Sequence, residues 1–231
     1  MDAGSPHRPQ THRKNAPHKS TLRQYLETLA LGILVSFAMR ASVVQAEVIA
    51  SGSMRPTLLV GDHFLVNKLI YGLRVPDSIF GLRMPWGRYL FRLEPIHRGD
   101  VVVFLPPQDQ IPAETRGEDW IKRVIALPGD TVEMRQGVVW LNGAPMADPH
   151  AYHESQLGGR LSAPRDNFPP TVVPPGKLFV MGDNRDDSFD SRYWGFADQS
   201  QVKGRAMVVF WSWDSGASNP IRWDRFGKQV D

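Results

Sequence analysis

The chain has 231 residues, of which 42% are hydrophobic and 22% are charged, a balance that excludes an intrinsically disordered or collagen-like chain. It contains no cysteine, which excludes disulfides, thiolate metal sites, iron–sulfur clusters and a cysteine nucleophile. The formal net charge is +3, and the excess of basic residues lies in the first 23 residues. The rest of the chain therefore gives no reason to expect nucleic acid binding.

The N-terminal residues 1–21 are rich in proline, histidine, serine and basic side chains, a composition that predicts a disordered basic tail. A strongly apolar segment follows, from Leu29 to Met39. Extending it to residues 22–46 gives the length of about 20 residues that a membrane span needs. We therefore predict one transmembrane anchor over residues 22–46.

Two other interpretations of the apolar segment remain open. It could be a cleaved signal peptide whose small-residue cleavage site is Val44-Gln45-Ala46, or a buried core helix. For an anchor, the preceding basic residues predict a cytoplasmic N-terminus. Residues 47–231 would then lie on the outer, periplasmic face of a single-pass protein of the inner (plasma) membrane.

Residues 47–231 have the pattern of a mainly β, antiparallel domain, because short apolar runs alternate with turns rich in glycine and proline. The predicted strands are residues 64–66, 101–104, 120–127, 131–135, 138–141, 178–181 and 206–213. Gln136-Gly137 joins two of these runs as a hairpin. Residues 144–176 are polar and are expected to form a surface excursion.

The first candidate for chemistry is the segment Ser51-Gly52-Ser53, which lies in a turn constrained by Gly52 and Pro56. A serine hydroxyl needs a neighbouring base to become a nucleophile. None of the histidines (His63, His97, His150 and His153) is placed to suggest a catalytic triad. The pair His150 and His153 could hold a metal, but a solvated loop explains it as well.

The other possible base is Lys122, which interrupts the apolar strand of residues 120–127. Because side chains alternate along a strand, Lys122 shares a face with Trp120 and Val124. Apolar surroundings lower the pKa of a lysine and favour the neutral amine, which could take the proton of Ser53. The alternative is an edge-strand lysine whose ammonium group reaches water.

Residues 182–195 combine turn formers with closely spaced opposite charges. Ion pairs between its carboxylates and arginines would make a rigid loop that holds a side chain such as Ser188 in place. A calcium loop is the alternative. The aspartate spacing fits no EF-hand loop, and Arg185 and Arg192 are poor neighbours for a cation, so we predict no metal.

Three motifs occur in order along the chain: Ser-Gly-Ser-Met-x-Pro-Thr after the apolar segment, Ile-Lys-Arg-Val-x-x-Leu-Pro-Gly-Asp at 121–130, and Gly-Asp-Asn-Arg-Asp-x-Ser-x-Asp-Ser-Arg-Tyr-Trp-Gly at 182–195. Together they resemble type I signal peptidase, the bacterial leader peptidase, which removes signal peptides from exported proteins. The resemblance spans about residues 40–213. It implies antiparallel sheets coiled into a barrel-like catalytic domain behind an N-terminal anchor.

The resemblance also implies a role for each matching residue. Ser53 corresponds to the nucleophile and Lys122 to the general base of a serine/lysine dyad. The other matches fall into three groups: the oxyanion and orienting hydroxyls of Ser51 and Ser188, the substrate-pocket walls Ile49 and Ile121, and the loop-holding residues Asp183, Asp190 and Arg192. The implied reaction needs no cofactor or metal.

The implied partners are preproteins, bound as an extended strand beside residues 48–50 and 119–121 and cleaved after a small-x-small motif, and membrane lipid; nucleic acid is not expected. Residues 71–93 mix aromatic and arginine side chains, so they could contact lipid headgroups or form a buried hairpin. Two other functions remain open. One is a dedicated serine/lysine maturation peptidase for a single pilus or conjugation substrate, and the other is an exported, non-catalytic binding module.

Overall fold

A computed structural model describes residues 21–74, 78–79, 82–83, 89–154 and 164–231. The chain divides into two compact units, residues 1–37 and 38–231. Nearly all of the predicted tail, residues 1–20, lies outside the described residues, as do residues 155–163 of the predicted excursion.

Helix α1, Thr21–Ser42, contains the apolar segment. Arg23 Nε and Glu27 Oε1 form an ion pair 2.9 Å apart, one helical turn from each other. The leucines near the start of the helix, such as Leu26 and Leu29, are exposed. Among the residues described, no helix has both the length and the apolar character needed to cross a membrane. The transmembrane anchor therefore stays a prediction.

The described residues after α1 form fifteen strands and one further α-helix, α2, Ser191–Trp194. In chain order the strands are β1 Val44–Val48, β2 Asp62–Asn67, β3 Leu73–Arg74, β4 Ser78–Ile79, β5 Leu82–Arg83, β6 Tyr89–Phe91, β7 Val101–Phe104, β8 Trp120–Ala126, β9 Thr131–Arg135, β10 Val138–Leu141, β11 Ala144–Pro145, β12 Phe168–Val172, β13 Lys177–Met181, β14 Ala197–Asp198 and β15 Val202–Ser212.

Eleven of the strands build a large curled sheet and a smaller one, and the other four form the two-stranded sheets β3-β6 and β4-β5. The large sheet has the order β1-β2-β15-β7-β8-β13-β14, and the small sheet has the order β11-β10-β9-β12. The pairings between these strands are antiparallel. The prediction of a mainly β, antiparallel domain is confirmed. Within the described residues β1 and β14 end the large sheet, which curls as a half-barrel.

Three clusters of buried side chains form the core. One includes Phe64 and Val209 and draws its strand residues mainly from β2, β7 and β15. The second includes Phe104 and Trp194. The third joins the large sheet to the small one through residues such as Phe179. The alternating apolar residues of the predicted strands thus become the inner faces of the sheets.

The hairpin of β9 and β10 turns at the predicted position. Gln136 and Gly137 have φ angles of 51° and 81°, the left-handed backbone that a tight hairpin turn requires. Arg135 pairs directly with Val138 across this turn.

Two segments differ from the sequence predictions. The predicted anchor of residues 22–46 is longer than the helix, because residues 44–46 belong to β1 and pair with residues 65–67 of β2. The predicted excursion of residues 144–176 is not a simple loop. Its β11 and β12 are the edge strands of the small sheet, and β12 escaped prediction because Pro169 and Pro170 hide the strand pattern.

Candidate active site

The serine candidates lie on a short turn that follows the edge strand β1. Ser51 is extended, and Gly52–Met54 form a single 3-10 helical turn. Met54 and Leu58 are completely buried in the first core cluster, so the turn is fixed to the sheet by its apolar side chains. Ser53 is 7% exposed. The packing thus holds Ser53 in one position with its hydroxyl at the surface of the core.

Lys122 comes from β8, near the middle of the large sheet. Its Nζ donates a hydrogen bond of 2.6 Å to Ser53 Oγ, although the two residues are 69 positions apart in the chain. The side chain is 5% exposed, and its Nζ lies 5.9 Å from the centre of the Trp120 ring. The structure therefore agrees with a buried lysine rather than with an edge-strand lysine that reaches water.

Burial lowers the pKa of Lys122 from 10.5 to about 8. Carboxylates and Arg192 nearby act in opposite directions on it: Asp190 raises the pKa, Arg192 lowers it, and Asp183 and Asp187 raise it. At pH 7 about one amine in ten is then neutral, against about one in three thousand for an ordinary lysine. The site can therefore supply a neutral amine within proton-transfer distance of a hydroxyl.

The other predicted hydroxyls differ in their contacts. Ser51 Oγ lies 3.3 Å from Ser53 Oγ, so both face the same space. Ser188 Oγ is buried and interacts with the Asp190 carboxylate, and the predicted orienting contact with Lys122 is not among the hydrogen bonds of this structure. The role of Ser188 stays a prediction.

The loop of residues 182–190 contacts the serine turn directly. The Asn184 backbone N–H donates to the Ser53 carbonyl oxygen at 3.1 Å, and its side-chain amide donates to the Gly52 carbonyl oxygen at 3.4 Å. A Cβ at Gly182 would collide with Ser188 Oγ and the Ser53 carbonyl oxygen. Only glycine lets the loop approach the serine this closely.

Arg123 and Asp183 form a buried ion pair, of which only Asp183 was predicted as a site residue. Arg123 Nε and Nη2 donate to the two carboxylate oxygens of Asp183, both at 2.7 Å. Thr57 Oγ1 also donates to Asp183, at 2.5 Å. Arg123 Nη1 donates to the carbonyl oxygens of Gly99 and Asp231. The residue after Lys122 thus ties β8 to the loop and to the serine turn.

Asp190 and Arg192 form a second buried pair, with Nε–Oδ1 and Nη2–Oδ2 distances of 2.8 Å. Burial acts to raise the pKa of Asp190, but the Arg192 guanidinium, together with the hydrogen bonds from Ser188 and Gly182, outweighs it and the pKa is lowered. Asp190 also accepts from the Gly182 N–H at 3.0 Å and caps α2. These contacts close the loop on itself.

A cleft of about 390 Å³ opens beside Ser53 and Lys122. Ile49 and Ile121 lie in its wall, as do Phe64, Val103 and Trp120. Carboxylates also line the cleft, from Glu47, Glu118, Asp119 and Asp187. The edge strand β1 runs along the cleft. An extended peptide in the cleft can therefore pair with β1 through its backbone and pack its side chains against the apolar walls.

The histidines lie away from this cleft. His153 Nδ1 is 3.3 Å from an oxygen of Asp186, and His150 donates its backbone N–H to Asp148. Within the described ranges, no group of three or more histidine, aspartate or glutamate side chains is arranged to hold a metal ion.

Comparisons with known proteins point to one family. Residues 22–211 match the family described as signal peptidase, peptidase S26. "Probable signal peptidase I-2" of Synechocystis sp. is 32% identical over 199 residues, covering 86% of this chain and 78% of the relative. "Probable signal peptidase I-1" of the same organism is 34% identical over 190 residues, covering 82% of each. A crystal structure of a signal peptidase I from Enterococcus faecalis V583 is 30% identical, covers 49% of this chain and 97% of its own, and has a TM-score of 0.37.

Proposed function

The chain belongs to the signal peptidase family, peptidase S26, and from this membership we propose that Ser53 and Lys122 are the dyad with which it cleaves signal peptides from preproteins. Relatives named signal peptidase I occur in several bacteria, including Pseudomonas aeruginosa and Bacillus caldolyticus. The observation that supports the dyad best is the 2.6 Å hydrogen bond between the buried Lys122 amine and the Ser53 hydroxyl.

The first step is acyl transfer from the preprotein to the enzyme. The neutral Lys122 amine takes the proton of Ser53 as Ser53 Oγ attacks the carbonyl carbon of the scissile peptide bond. The resulting Lys122 ammonium then gives that proton to the leaving amine, and the peptide C–N bond breaks. The signal peptide remains as an ester on Ser53, and the mature protein leaves with a free N-terminus.

The tetrahedral intermediate has a negatively charged oxygen that needs hydrogen-bond donors. The Ser53 backbone N–H and the Ser51 hydroxyl, whose Oγ lies 3.3 Å from Ser53 Oγ, are the proposed donors. One such donor is worth roughly 3–4 kcal/mol of transition-state stabilisation.

The second step returns the enzyme to its starting state. With the leaving peptide gone, the neutral Lys122 amine removes a proton from a water molecule as that water attacks the ester carbonyl carbon. The Ser53–acyl bond breaks, Ser53 regains its proton from Lys122, and the signal peptide leaves with a free carboxyl end.

The substrate is proposed to lie extended along β1, with residues 48–50 on one side and 119–121 on the other. Ile49 is 4% exposed and Ile121 is half-buried, so both offer apolar wall to a small side chain. A subsite of this kind suits the small-x-small ending of signal peptides, because the alternation of an extended chain places every second side chain on one face.

We propose that α1 anchors the enzyme in the plasma membrane with its N-terminus in the cytoplasm and the sheets on the outer face. A signal peptide lies in the bilayer during export, so an anchor there raises the effective concentration of substrate at the site. The basic residues before α1 support this orientation. Lipid contact by residues 71–93 stays a prediction, because much of that segment, Phe80 and Trp86 included, lies outside the described residues.

Family membership does not favour the alternative of a non-catalytic binding module. A peptidase dedicated to a single pilus or conjugation substrate would use the same dyad. Depleting the enzyme and scoring the processing of many exported proteins distinguishes the two. Depletion of a general enzyme would leave most of these proteins unprocessed, whereas depletion of a dedicated enzyme would affect only its own substrate.

The test of the dyad is cleavage of a model preprotein by the full chain and by two variants, Ser53→Ala and Lys122→Met. Each variant removes one reacting atom, so we expect the rate to fall by at least about 10⁴-fold. Melting curves of the variants show whether the fold is kept. Substantial cleavage by a folded variant would reject the dyad.

The matched control is Lys177→Met, which removes an exposed amine that lies 3.1 Å from Asp198 at the far end of β13. We expect it to cleave like the unaltered chain. Activity should also persist in EDTA, and its loss there would favour a metal-dependent mechanism instead.

A further inference from the structure

The loop of residues 182–190 has a second contact surface, on the side away from Ser53. Residues 148–153, here called the strap, run alongside it between β11 and the end of the described range at 154. The Tyr152 N–H donates to the Asp183 carbonyl oxygen at 2.7 Å, and the Arg185 N–H donates to the Tyr152 carbonyl oxygen at 2.8 Å. Tyr152 and Asn184 thereby form a parallel β-bridge.

Asn184 therefore lies between the strap and the nucleophile. On one side it is bridged to Tyr152, and on the other its N–H donates to the Ser53 carbonyl oxygen at 3.1 Å. A displacement of the strap would move Asn184, and Asn184 is bonded to the same residue whose hydroxyl accepts from Lys122. Only the backbone at Asn184 thus lies between the strap and Ser53.

A buried ion pair reinforces the bridge. Arg185 Nη2 is bonded to Asp148 of the strap, and the two side chains are 2% and 6% exposed. Arg185 Nε donates to the Gly182 carbonyl oxygen at 3.2 Å, and Asp148 also accepts from the His150 N–H at 3.1 Å. Separating this pair would leave two buried charges without a partner, which is strongly destabilising. The contact therefore fixes the distance between the strap and the loop.

We propose that the strap is a positioning element of the active site and that Asp148 is a positioning residue, which holds the loop of residues 182–190 against Ser53 through Arg185. This inference rests on the proposed function for its kinetic readout. It gives residues 148–153, which lie outside the three sequence motifs, a part in the reaction. The strap touches neither reacting atom, so its effect passes through Asn184 and the Ser53 turn.

The test compares the full chain with Asp148→Asn, which keeps the size of the side chain and removes the negative charge beside Arg185. The first readout is cleavage of a model preprotein at a temperature well below the melting transition. We expect kcat to fall by about tenfold or more, because a displacement of about 1 Å at the reacting atoms is enough for such a loss. KM should change by less than about threefold, since the cleft walls at Ile49 and Ile121 are untouched.

The second readout is the pKa of Lys122, followed by NMR of the labelled amine in the full chain. Of its charged neighbours, Asp190, Asp183 and Asp187 lie on the loop that the strap supports, and Arg192 follows directly in α2. Removing the charge of Asp148 would by itself lower the pKa further, because it leaves Arg185 uncompensated. We expect the opposite, a rise from about 8 toward 10.5, because a displaced loop admits water to the amine.

Two controls separate positioning from loss of stability. Val139→Ala removes buried side chain from the third core cluster, in the small sheet, and should lower the melting temperature without changing kcat or the Lys122 pKa. Tyr152→Pro removes the N–H that bonds Asp183, whereas Tyr152→Ala keeps it. We expect the proline variant to lose kcat and the alanine variant to stay within about twofold of the unaltered chain.

An Asp148→Asn variant with unchanged kcat and an unchanged Lys122 pKa would overturn the proposal. An equal kcat loss in Val139→Ala would do so too. Should Asp148→Asn not fold, the comparison of Tyr152→Pro with Tyr152→Ala decides, and equal rates would reject the strap. Failure of the unaltered chain to cleave any preprotein would reject the proposed function instead, and the Lys122 titration would still test the strap.

Discussion

A lysine acts as a general base only where its surroundings favour the neutral amine. At Lys122 the dominant factor is burial, and it brings the pKa to about 8. Four charged side chains of the 182–192 segment also act on it, and they partly cancel. The pKa of the base is therefore set mainly by exclusion of water, which the packing of Trp120 and the loop controls.

The first prediction at this scale is a pH profile. The active form is the neutral amine, so kcat/KM should rise as pH rises through about 8 and level off above about 9. Between pH 7 and pH 9 the neutral fraction grows by about tenfold, and the rate should follow it. Steady-state cleavage of a soluble peptide substrate at constant ionic strength measures the profile. A rate that is flat over this range, or that falls, would contradict a base with this pKa.

The sequence made Lys122 a candidate because a charged side chain interrupts an apolar strand, and β8 does contain it. The pattern could not decide between a buried and an exposed amine, since the strand's neighbours were unknown. Nor could it pair Lys122 with Ser53, which lies 69 positions away. That pairing came from the resemblance between motifs. The pairing of Arg123 with Asp183 was not predicted. The signal for it was available, because Arg123 is a second charged residue in the same buried strand and a buried charge needs a partner.

At the scale of elements, two arginine–aspartate pairs hold the loop of residues 182–190 in place. Arg123 and Asp183 join the loop to β8. Asp190 pairs with Arg192 and joins the end of the loop to its beginning, because it also accepts from the Gly182 N–H. All four side chains are nearly inaccessible. Charges buried to this degree stabilise the fold only as pairs, because each one alone would remain without solvent or counterion.

The second prediction follows from this pairing. Asp190→Asn leaves Arg192 buried without its counterion, so we expect the free energy of unfolding to fall by about 3–5 kcal/mol. The exposed pair of Lys177 and Asp198 is the comparison: Lys177→Met should lower it by about 1 kcal/mol or less. Urea unfolding of both variants measures the difference. Similar small losses in the two variants would mean that the buried pair does not stabilise the loop.

The third prediction concerns the glycine that brings the loop to the serine turn. Gly182→Ala adds a Cβ that would collide with Ser188 Oγ and the Ser53 carbonyl oxygen, and backbone atoms cannot move aside cheaply. We expect kcat to fall by about 10²-fold through displacement of Ser53. Gly176→Ala, at a turn where a Cβ meets no other atom, tests whether glycine replacement by itself explains the loss. Its strained φ of 75° should lower stability and leave kcat unchanged.

The strands that the sequence predicted are those with local signals. β9 and β10 were found to the residue because their alternation meets at a glycine turn, and β7 because four apolar residues stand between turns. β1 was taken as the end of the anchor, since its pairing with β2 depends on residues about twenty positions later. β14 has only two residues and owes its strand geometry entirely to β13. Pairings over such distances leave no local pattern.

At the scale of the whole molecule, the order of strands explains how distant motifs meet. β1, which precedes the serine turn, and β8, which holds the lysine, are separated in the large sheet by β2, β15 and β7. The curl of the sheet brings the end of β1 toward β8, and the loop after β13 closes over both. The sequence predicted antiparallel strands, but not this order, because β15 enters the middle of the sheet from the end of the chain.

The last prediction tests whether α1 serves only as an anchor. A chain that begins at Ala41 keeps β1 and the Val43 carbonyl oxygen, which accepts from the Lys68 N–H at 2.9 Å. It should therefore cleave a soluble peptide with the kcat/KM of the full chain in detergent, because the dyad and the cleft belong to residues 47–231. With a preprotein inserted in lipid vesicles, the shortened chain should be about 10²-fold slower at equal concentration, since it loses the effective concentration that a shared bilayer provides. Equal rates in vesicles would reject the anchor, and a loss with the soluble peptide would show that α1 also supports the catalytic unit.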